Sequence, residues 1–514
     1  MILARNPLQL LNGSKIWIFV VITVLFASCE LFKPVSNGNN NTTTSSELEE
    51  VGSDKPIKNP NTKYDVDGNP IIESDSGNDN NGHSNNSSNN GTGGSNTENN
   101  NNTGDGTIEN PKSDDTIKVN EPSVDISFKY AYKVGILMPF FAREFGTAAK
   151  MPRASVQGMN FYEGSLLALQ QLSIEGINLD VEVFDSRRSQ GVVQGLVDNY
   201  SLSAMDLIIG PAASDNVRIV AEKVAKKDQV PMVSLNLNAS IASENPYYIQ
   251  ASPYFSSHAD ATVKYIKQNY ASNNVVIVVP QGGREVSRMK HYYDLFNIFP
   301  NANALLSGNN YNEFFAEKSG EASFKFEGLS DLLSVNDTTI IIAPVSDVGF
   351  VSALLRTLNS TRGSKPIVVF GMPSWMSYEN LDFGVLESCN VHVTNASFVN
   401  RGDEKVKAFK QAFFTEYNMS PTIEAYKGYD LTLYFGRMLN KYGTGFISNL
   451  EDSDDKLLQT TFNFEKVYET GESSMGENYK IRCFENKFVH ILRYNNFKYI
   501  PMNNENVFAP IDKD

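Results

Sequence analysis

From about residue 130 onward, short apolar runs alternate with stretches in which apolar residues recur every three or four positions. Short apolar runs of this length predict buried β-strands. Apolar residues that recur every three or four positions predict amphipathic helices. The predicted strands cover 133–140, 179–184, 206–209, 231–235, 274–280, 338–344 and 366–371, and the helices cover 158–172, 191–202, 215–227, 286–296 and 348–358. Because apolar strands that alternate with helices form parallel sheets covered on both faces, the sequence predicts an α/β fold.

This pattern occurs twice in succession, which predicts two doubly wound parallel-sheet lobes joined by a hinge within a folded domain at 130–505. We expect the first lobe to contain about 130–248 and 398–445, and the second about 250–395 and 455–505. Open α/β sheets bind ligands beyond the carboxyl ends of their strands. Two facing lobes would therefore form a cleft that a hinge motion can close.

The first thirty residues have the pattern of a secretory signal. Arg5 and Lys15 precede an apolar run at 16–27, which Ser28 and Cys29 follow. A run of this length is too short for a membrane-spanning helix, which needs about 20 residues, so we predict a signal peptide at 1–28. The sequence LFASC at 25–29 resembles the lipobox of bacterial lipoproteins, which implies cleavage before Cys29, its acylation and anchoring to a lipid bilayer. An ordinary signal peptide followed by an incidental cysteine is the alternative.

Residues 29–125 are predicted to form a disordered tether. The segment is rich in Asn, Ser, Gly and Asp, and between residues 30 and 125 it carries 17 Asp and Glu against six Lys and Arg. So few apolar residues cannot bury enough surface to offset the entropy of ordering the chain. A flexible segment of this length spans roughly 50–60 Å. It either holds the folded domain away from the membrane or is a low-complexity expansion without a selected length.

Composition and motifs exclude several classes of function. The 514 residues carry 44 Lys and Arg against 59 Asp and Glu, a net charge of −15 that argues against nucleic-acid binding. Three cysteines are too few for a disulfide scaffold, although Cys389 and Cys483 could either pair or stay free. The five histidines show no metal-ligand spacing, and the sequence has no catalytic nucleophile or phosphate-loop motif. We therefore predict a protein that is not an enzyme and has no metal or cofactor.

The order of these segments resembles the type 1 periplasmic binding fold, in particular its leucine/isoleucine/valine-binding branch. The resemblance rests on KVGILMPF at 133–140, GMNFYEGSLLAL at 158–169, VEVFDS at 181–186, LIIGPAASDNV at 207–217, VPMVSLN at 230–236 and IEAYKGYDLTLYFGRML at 423–439. It covers about 370 residues. It implies a hinged, two-lobed domain that closes on a small polar solute, such as an amino acid, for an ABC permease or a sensor.

Candidate ligand contacts follow from this arrangement. The helix after Gly210-Pro211 should begin at Ser214, where free N–H groups can bind a carboxylate, so Ala213, Ser214 and Asp215 are candidates, with a plain helix cap as the alternative. Ser234, Asn236 and Asn238 end the next strand and would face the same cleft unless they only form a turn. Trp375 could stack on a ligand from the second lobe or be a packing residue at the surface of that lobe. For a ligand amine, Asp347, Glu379 and Asp382 are the available acids.

GILMPF, IIGP and VPMVSLN also resemble the lipoproteins that activate penicillin-binding proteins in peptidoglycan synthesis. That resemblance implies an alternative function, a regulator that binds a cell-wall synthase and needs no small ligand. The run at 462–501 is strand-like and resembles the terminal strands of Bacteroidetes envelope members of the superfamily, which implies a Bacteroidetes source. Both readings place the protein in the cell envelope, anchored to a membrane through Cys29.

Overall fold

The computed structural model describes residues 2–4, 63–64, 70–71, 125–144, 150–235, 244–270, 274–298, 311–320, 323–452, 455–471 and 478–502. Between residues 125 and 502, these form two mixed, mainly parallel sheets with helices packed against them. The predicted α/β class with two lobes is confirmed. The predicted signal cleavage site, Cys29 and nearly all of the tether lie outside the described residues.

The first lobe is built on a sheet with the order β2-β1-β3-β4-β5-β13-β12. Its strands are β1 (Tyr132–Met138), β2 (Leu179–Asp185), β3 (Leu207–Ile209), β4 (Met232–Ser234), β5 (Tyr248–Gln250), β12 (Phe464–Gly471) and β13 (Asn478–Asn486). All neighbours are parallel except β12 and β13, which form an antiparallel pair. The short strand Ile2–Ala4 lies antiparallel along the outer edge of β2, so a mature chain that begins at Cys29 would lack it.

The second lobe is built on a sheet with the order β8-β7-β6-β9-β10-β11-β14-β15. Its strands are β6 (Val275–Pro280), β7 (Asn312–Lys318), β8 (Phe324–Lys325), β9 (Thr339–Ile342), β10 (Ile367–Gly371), β11 (Val391–Asn395), β14 (His490–Asn495) and β15 (Lys498–Pro501). In the order of the sheet, β7, β6, β9, β10 and β11 are parallel to one another. All of these except β7 are buried apolar runs, as expected for strands covered on both faces. The remaining strands pair antiparallel at the two edges.

Nine helices of the described chain cover the sheets. Those of the first lobe are α1 (Arg153–Ile174), α2 (Gln190–Asp198), α3 (Ser214–Val220, continued by a π-helix to Lys226), α8 (Glu404–Tyr417) and α9 (Ile423–Tyr442). Those of the second lobe are α4 (Phe255–Asn269), α5 (Val286–Ile298), α6 (Val348–Thr361) and α7 (Phe383–Ser388). Helices α1 and α9 pack against each other most extensively, although they are far apart in sequence.

The chain crosses between the lobes three times, at 251–254, 396–403 and 487–489. The expected assignment of 455–505 to the second lobe is therefore wrong for 464–486. Strand β13 pairs in parallel with β5 and carries β12 with it into the first sheet, while only β14 and β15 join the second sheet. The alternating pattern predicted strands here, but it could not indicate which sheet edge they complete.

The three crossings are bonded to one another. The carbonyl oxygen of Gln459 accepts hydrogen bonds from the backbone N–H of Phe398 (2.7 Å) and from Nε2 of His490 (3.0 Å). The buried carboxylate of Glu485 accepts from the backbone N–H of Tyr254 (2.7 Å) and from the hydroxyl of Ser257 (2.6 Å). These bonds hold the three crossings close together, and we call this region between the lobes the hinge.

Candidate functional site: a crevice at the sheet switch point

The order β2-β1-β3 places the topological switch point of the first lobe between β1 and β3, where open α/β sheets bind ligands. A crevice of about 240 Å³ opens there. Its walls include Met138 at the end of β1 and Pro139 after it, Ala212 and Ala213 after β3, and Leu235 after β4. The crevice lies at the carboxyl ends of β1, β3 and β4, and the described residues that line it all belong to the first lobe.

Polar side chains enter the crevice from three elements. Helix α1 contributes Gln157, the β2–α2 loop contributes Arg188, and α9 contributes Glu424 and Lys427. The side-chain amide of Gln157 donates to Oε1 of Glu424 at 3.2 Å. A small crevice with apolar walls and a few converging polar groups is the usual form of a solute site.

The start of α9 positions Glu424 and Lys427. Thr422 caps this helix by accepting from the backbone N–H of Ala425 at 3.4 Å, and its hydroxyl also bonds to Oδ1 of Asn160 on α1 at 3.2 Å. Residues three apart lie on one helix face, so Glu424 and Lys427 reach the crevice together. Burial lowers the pKa of the Lys427 ammonium, while the charge of Glu424 opposes that shift.

Asp185, at the end of β2, organises the loops around Arg188. Its carboxylate accepts from the backbone N–H groups of Phe140, Phe141 and Ala142 at 2.8–3.0 Å and from that of Arg187 at 3.1 Å. Asp185 is therefore committed to loop structure. Arg187 and Arg188 both adopt left-handed backbone conformations, with φ of 48° and 50°, which costs a residue with a Cβ about 1–2 kcal/mol.

The structure brings only some of the predicted contacts to the crevice. Ala213 lines it and is the N-cap residue of α3, whereas Ser214 is the first helical residue and makes no cap bond. Ser214 and Asp215 are exposed. Ser234 is buried and bonds to the Tyr248 hydroxyl. Asn236 and Asn238 lie outside the described residues.

Trp375 is a core residue of the second lobe, which corrects its expected role in stacking on a ligand. The side chain is 1% exposed, its indole N–H donates to the carbonyl of Val345 at 2.8 Å, and its ring packs directly on Gly371. Asp347 and Asp382 cap helices α6 and α7. The acid that reaches the crevice is Glu424. The sequence signal for Glu424 is that two charged residues, 424 and 427, lie three positions apart at the start of a helix that is otherwise mostly apolar.

A larger cavity of about 770 Å³ lies between β2, α1 and α2, and two of its three charged groups, Asp185 and Arg187, already have partners. Its walls are mainly apolar, from residues such as Phe184, Val192 and Leu196. Of the charged groups, Asp185 is saturated by backbone N–H groups, and Arg187 forms an ion pair with Glu144. The smaller crevice is therefore the better candidate for a polar solute.

The described parts of the chain hold no metal site, membrane span or reactive thiol. No group of His, Cys, Asp and Glu there could hold a metal ion. No helix there is long and apolar enough to cross a membrane. Cys389 and Cys483 are free thiols in the cores of different lobes, and burial raises the pKa of both. Such thiols are unreactive.

Comparison of the sequence with protein-family models and with curated proteins gives no match. Solved structures do match. The matching structures include ABC transporter substrate-binding proteins and LpoA.

An ABC transporter substrate-binding protein from Desulfitobacterium hafniense, in complex with Leu, is 13% identical, with a TM-score of 0.44 over 72% of this chain and 100% of that one. The C-domain of LpoA from Haemophilus influenzae, a regulator of PBP1A, is 12% identical, with a TM-score of 0.47 and the same coverage. A leucine-binding protein, LivK, from Thermotoga maritima is 12% identical, with a TM-score of 0.40 over 72% and 98%.

Proposed function

We propose that the protein binds a small polar solute, of the size of an amino acid, in the switch-point crevice. The observation that carries this proposal is the convergence of Gln157, Arg188, Glu424 and Lys427 on one small cavity at the carboxyl ends of the strands. Such a protein would serve as the solute-binding component of an ABC-type uptake system or as a sensor in the cell envelope. No catalytic step is proposed.

The hinge supports this function. Three crossings allow one lobe to rotate against the other, and the bonds that Gln459 and Glu485 make would keep the crossings together as it does so. Closure would bring the second lobe over the crevice and exclude water from the bound solute. A ligand stabilises the closed form only by its differential affinity for it.

Ligand-dependent thermal stability tests the proposal. We expect purified full-length protein in detergent to melt at a higher temperature with its solute, because ligand binding to the folded state adds RT ln(1 + [L]/Kd) to the free energy of unfolding. At a concentration of about 100 times Kd, this is about 2.7 kcal/mol. The panel should hold the amino acids, inorganic phosphate and soluble muropeptides. The absence of a shift with every member would contradict solute binding.

A regulator of peptidoglycan synthesis is the second candidate function. The specific observation in its favour is an exposed aromatic patch on the second lobe, where Phe383 is 52% exposed and Phe497 is 75% exposed, with their rings 6.5 Å apart. Exposed apolar patches mark sites of protein contact. Binding of a purified cell-wall synthase, lost on Phe497→Ser and unaccompanied by any ligand shift, would favour the regulator over the solute receptor.

We also propose that Cys29 is acylated and that residues 29–125 tether the folded domain to the membrane. The support is the sequence alone: the apolar run, the LFASC sequence and the polar composition that follows.

A further inference from the structure

Lys427 is a half-buried cation for which the described residues supply no direct partner. It is half-buried in the wall of the crevice, and its ammonium makes no hydrogen bond or ion pair with any residue that the structure describes. Glu424 acts on it electrostatically from one turn earlier in α9, while burial lowers the pKa of the ammonium. Removing a charge from water is costly unless a partner replaces the solvent. A charged group in this condition inside a cleft is a candidate for ligand contact.

Arg188 supplies a second cation to the same crevice, on a loop whose shape is held by the surrounding structure. Its backbone N–H is 3.5 Å from the hydroxyl of the buried Ser186, whose own N–H donates to the carbonyl of Met138 at 2.9 Å. These bonds fix the loop to the end of β1. Left-handed non-glycine residues persist only where their surroundings determine them, and such residues concentrate at functional sites.

The charges of the crevice do not balance. Arg188 and Lys427 are cationic, whereas Glu424 is the one acid among the described residues of the lining, and Glu424 already accepts the amide hydrogen bond of Gln157. A neutral zwitterion would leave one cation unmatched. A solute with two acidic groups would match both cations, and any amine that it carries could bind Glu424.

The rest of the lining limits the size of the solute. Met138, Phe161 and Leu235 provide apolar walls, and about 240 Å³ is less than the roughly 300–1,000 Å³ of pockets for drug-sized ligands. Arginine binds a carboxylate bidentately, whereas lysine acts as a point charge. Such a site fits two carboxylates joined by a short carbon chain.

We propose that the crevice selects a small solute with net negative charge, of the dicarboxylic amino-acid class, and that Lys427 determines this choice against neutral amino acids. This inference rests on the proposed solute-binding function and names its substrate class.

Binding of L-glutamate, L-aspartate, L-leucine and inorganic phosphate to full-length protein, measured by calorimetry, tests the inference. We expect the acidic amino acids to bind at least about tenfold more tightly than leucine, with affinity that falls as salt concentration rises. Lys427→Met should weaken glutamate and aspartate binding by about tenfold or more. Lys410→Met is the matched control, because Lys410 is exposed on α8 of the same lobe, and it should leave binding unchanged.

Circular dichroism of Lys427→Met establishes that the variant is folded, and Lys427→Arg should retain much of the binding because it keeps the charge. Leucine binding as tight as that of glutamate, or normal glutamate binding by Lys427→Met, would overturn the charge selection while leaving solute binding intact. Binding of inorganic phosphate, without binding of glutamate or aspartate, would overturn the inference that the solute is a dicarboxylic amino acid. Failure of all four compounds to bind the wild-type protein would overturn this inference. The proposed solute-binding function would still be tested separately, by the thermal-stability measurements with the larger panel of compounds.

Discussion

At the scale of single residues, Asp430 shows how one buried charge supports the hinge. Its two carboxylate oxygens accept from the backbone N–H groups of Leu458 and Gln459, each at 3.0 Å. Gln459 is the residue whose carbonyl joins two of the crossings. Burial raises the pKa of Asp430 to about 7, and the two hydrogen bonds only partly offset that shift.

Asp430 should make stability depend on pH between about 4 and 7. An unfolded aspartate has a pKa of about 3.9, so in this range the folded state binds the proton that the unfolded state has lost. The contribution of this residue to the free energy of unfolding therefore falls as pH rises through this range. Because Asp430→Asn cannot ionise, the melting temperature of the wild type minus that of the variant should decrease from pH 5 to pH 8. A constant difference in thermal melts would contradict this assignment.

At the scale of elements, helices α1 and α9 touch through their backbones. A Cβ atom added to Gly164 would lie 1.9 Å from the carbonyl oxygen of Ala425, and one added to Gly428 would lie 1.9 Å from that of Phe161. The hydroxyl of Ser165 also bonds to the Gly428 carbonyl at 3.3 Å. This close contact fixes the position of α9, and with it the two charged residues that α9 presents to the crevice.

Alanine at either glycine should therefore force the helices apart. We expect Gly164→Ala and Gly428→Ala each to lower the free energy of unfolding by about 2–3 kcal/mol, measured by urea denaturation. Gly195→Ala is the matched control, since nothing lies within 4 Å of its added Cβ on the exposed side of α2, and it should raise stability by up to about 1 kcal/mol. Equal effects at all three positions would mean that α1 and α9 are not in close contact.

The periodicity of apolar residues predicted most strands and helices because burial imposes it locally. It could not place β12 and β13, whose partner β5 is separated from them by two further helices and a whole lobe. Nor could it place Lys427 at a ligand crevice, because polar residues on a helix ordinarily face solvent. A large aromatic residue after a strand, such as Trp375, fits a cleft and a core equally well, and only the packing on Gly371 decides between them.

At the scale of the whole molecule, the sequence predicts three functional parts: a signal peptide, a tether and a two-lobed domain. The proposed anchor lies about one hundred residues before β1, so it should govern where the protein is found without affecting how the domain folds.

Replacement of Cys29 by Ser should release the protein from membranes, because it removes the only residue at which the signal can be acylated. Several acyl chains bind a bilayer at about 0.8 kcal/mol per buried methylene. We expect the wild type in the detergent phase after Triton X-114 partition and the variant in the aqueous phase, with the melting temperature of the domain unchanged. A variant that stays with the membrane would show that another segment anchors the chain.

The return of β13 to the first sheet also determines the order in which the lobes can be completed. The partner of β5 is complete only when residue 486 has been synthesised, about 230 residues after β5. Strand β11 likewise pairs with β14, which is synthesised later than β13. At synthesis rates of about 5–20 residues per second, the edge of β5 stays open for on the order of 10–50 seconds on the ribosome. Unpaired sheet edges are templates for aggregation. A chain truncated after α9 would lack β13 and β14, so β5 in the first lobe and β11 in the second would each remain an unpaired edge. Neither sheet can therefore be completed during synthesis before these strands have been made.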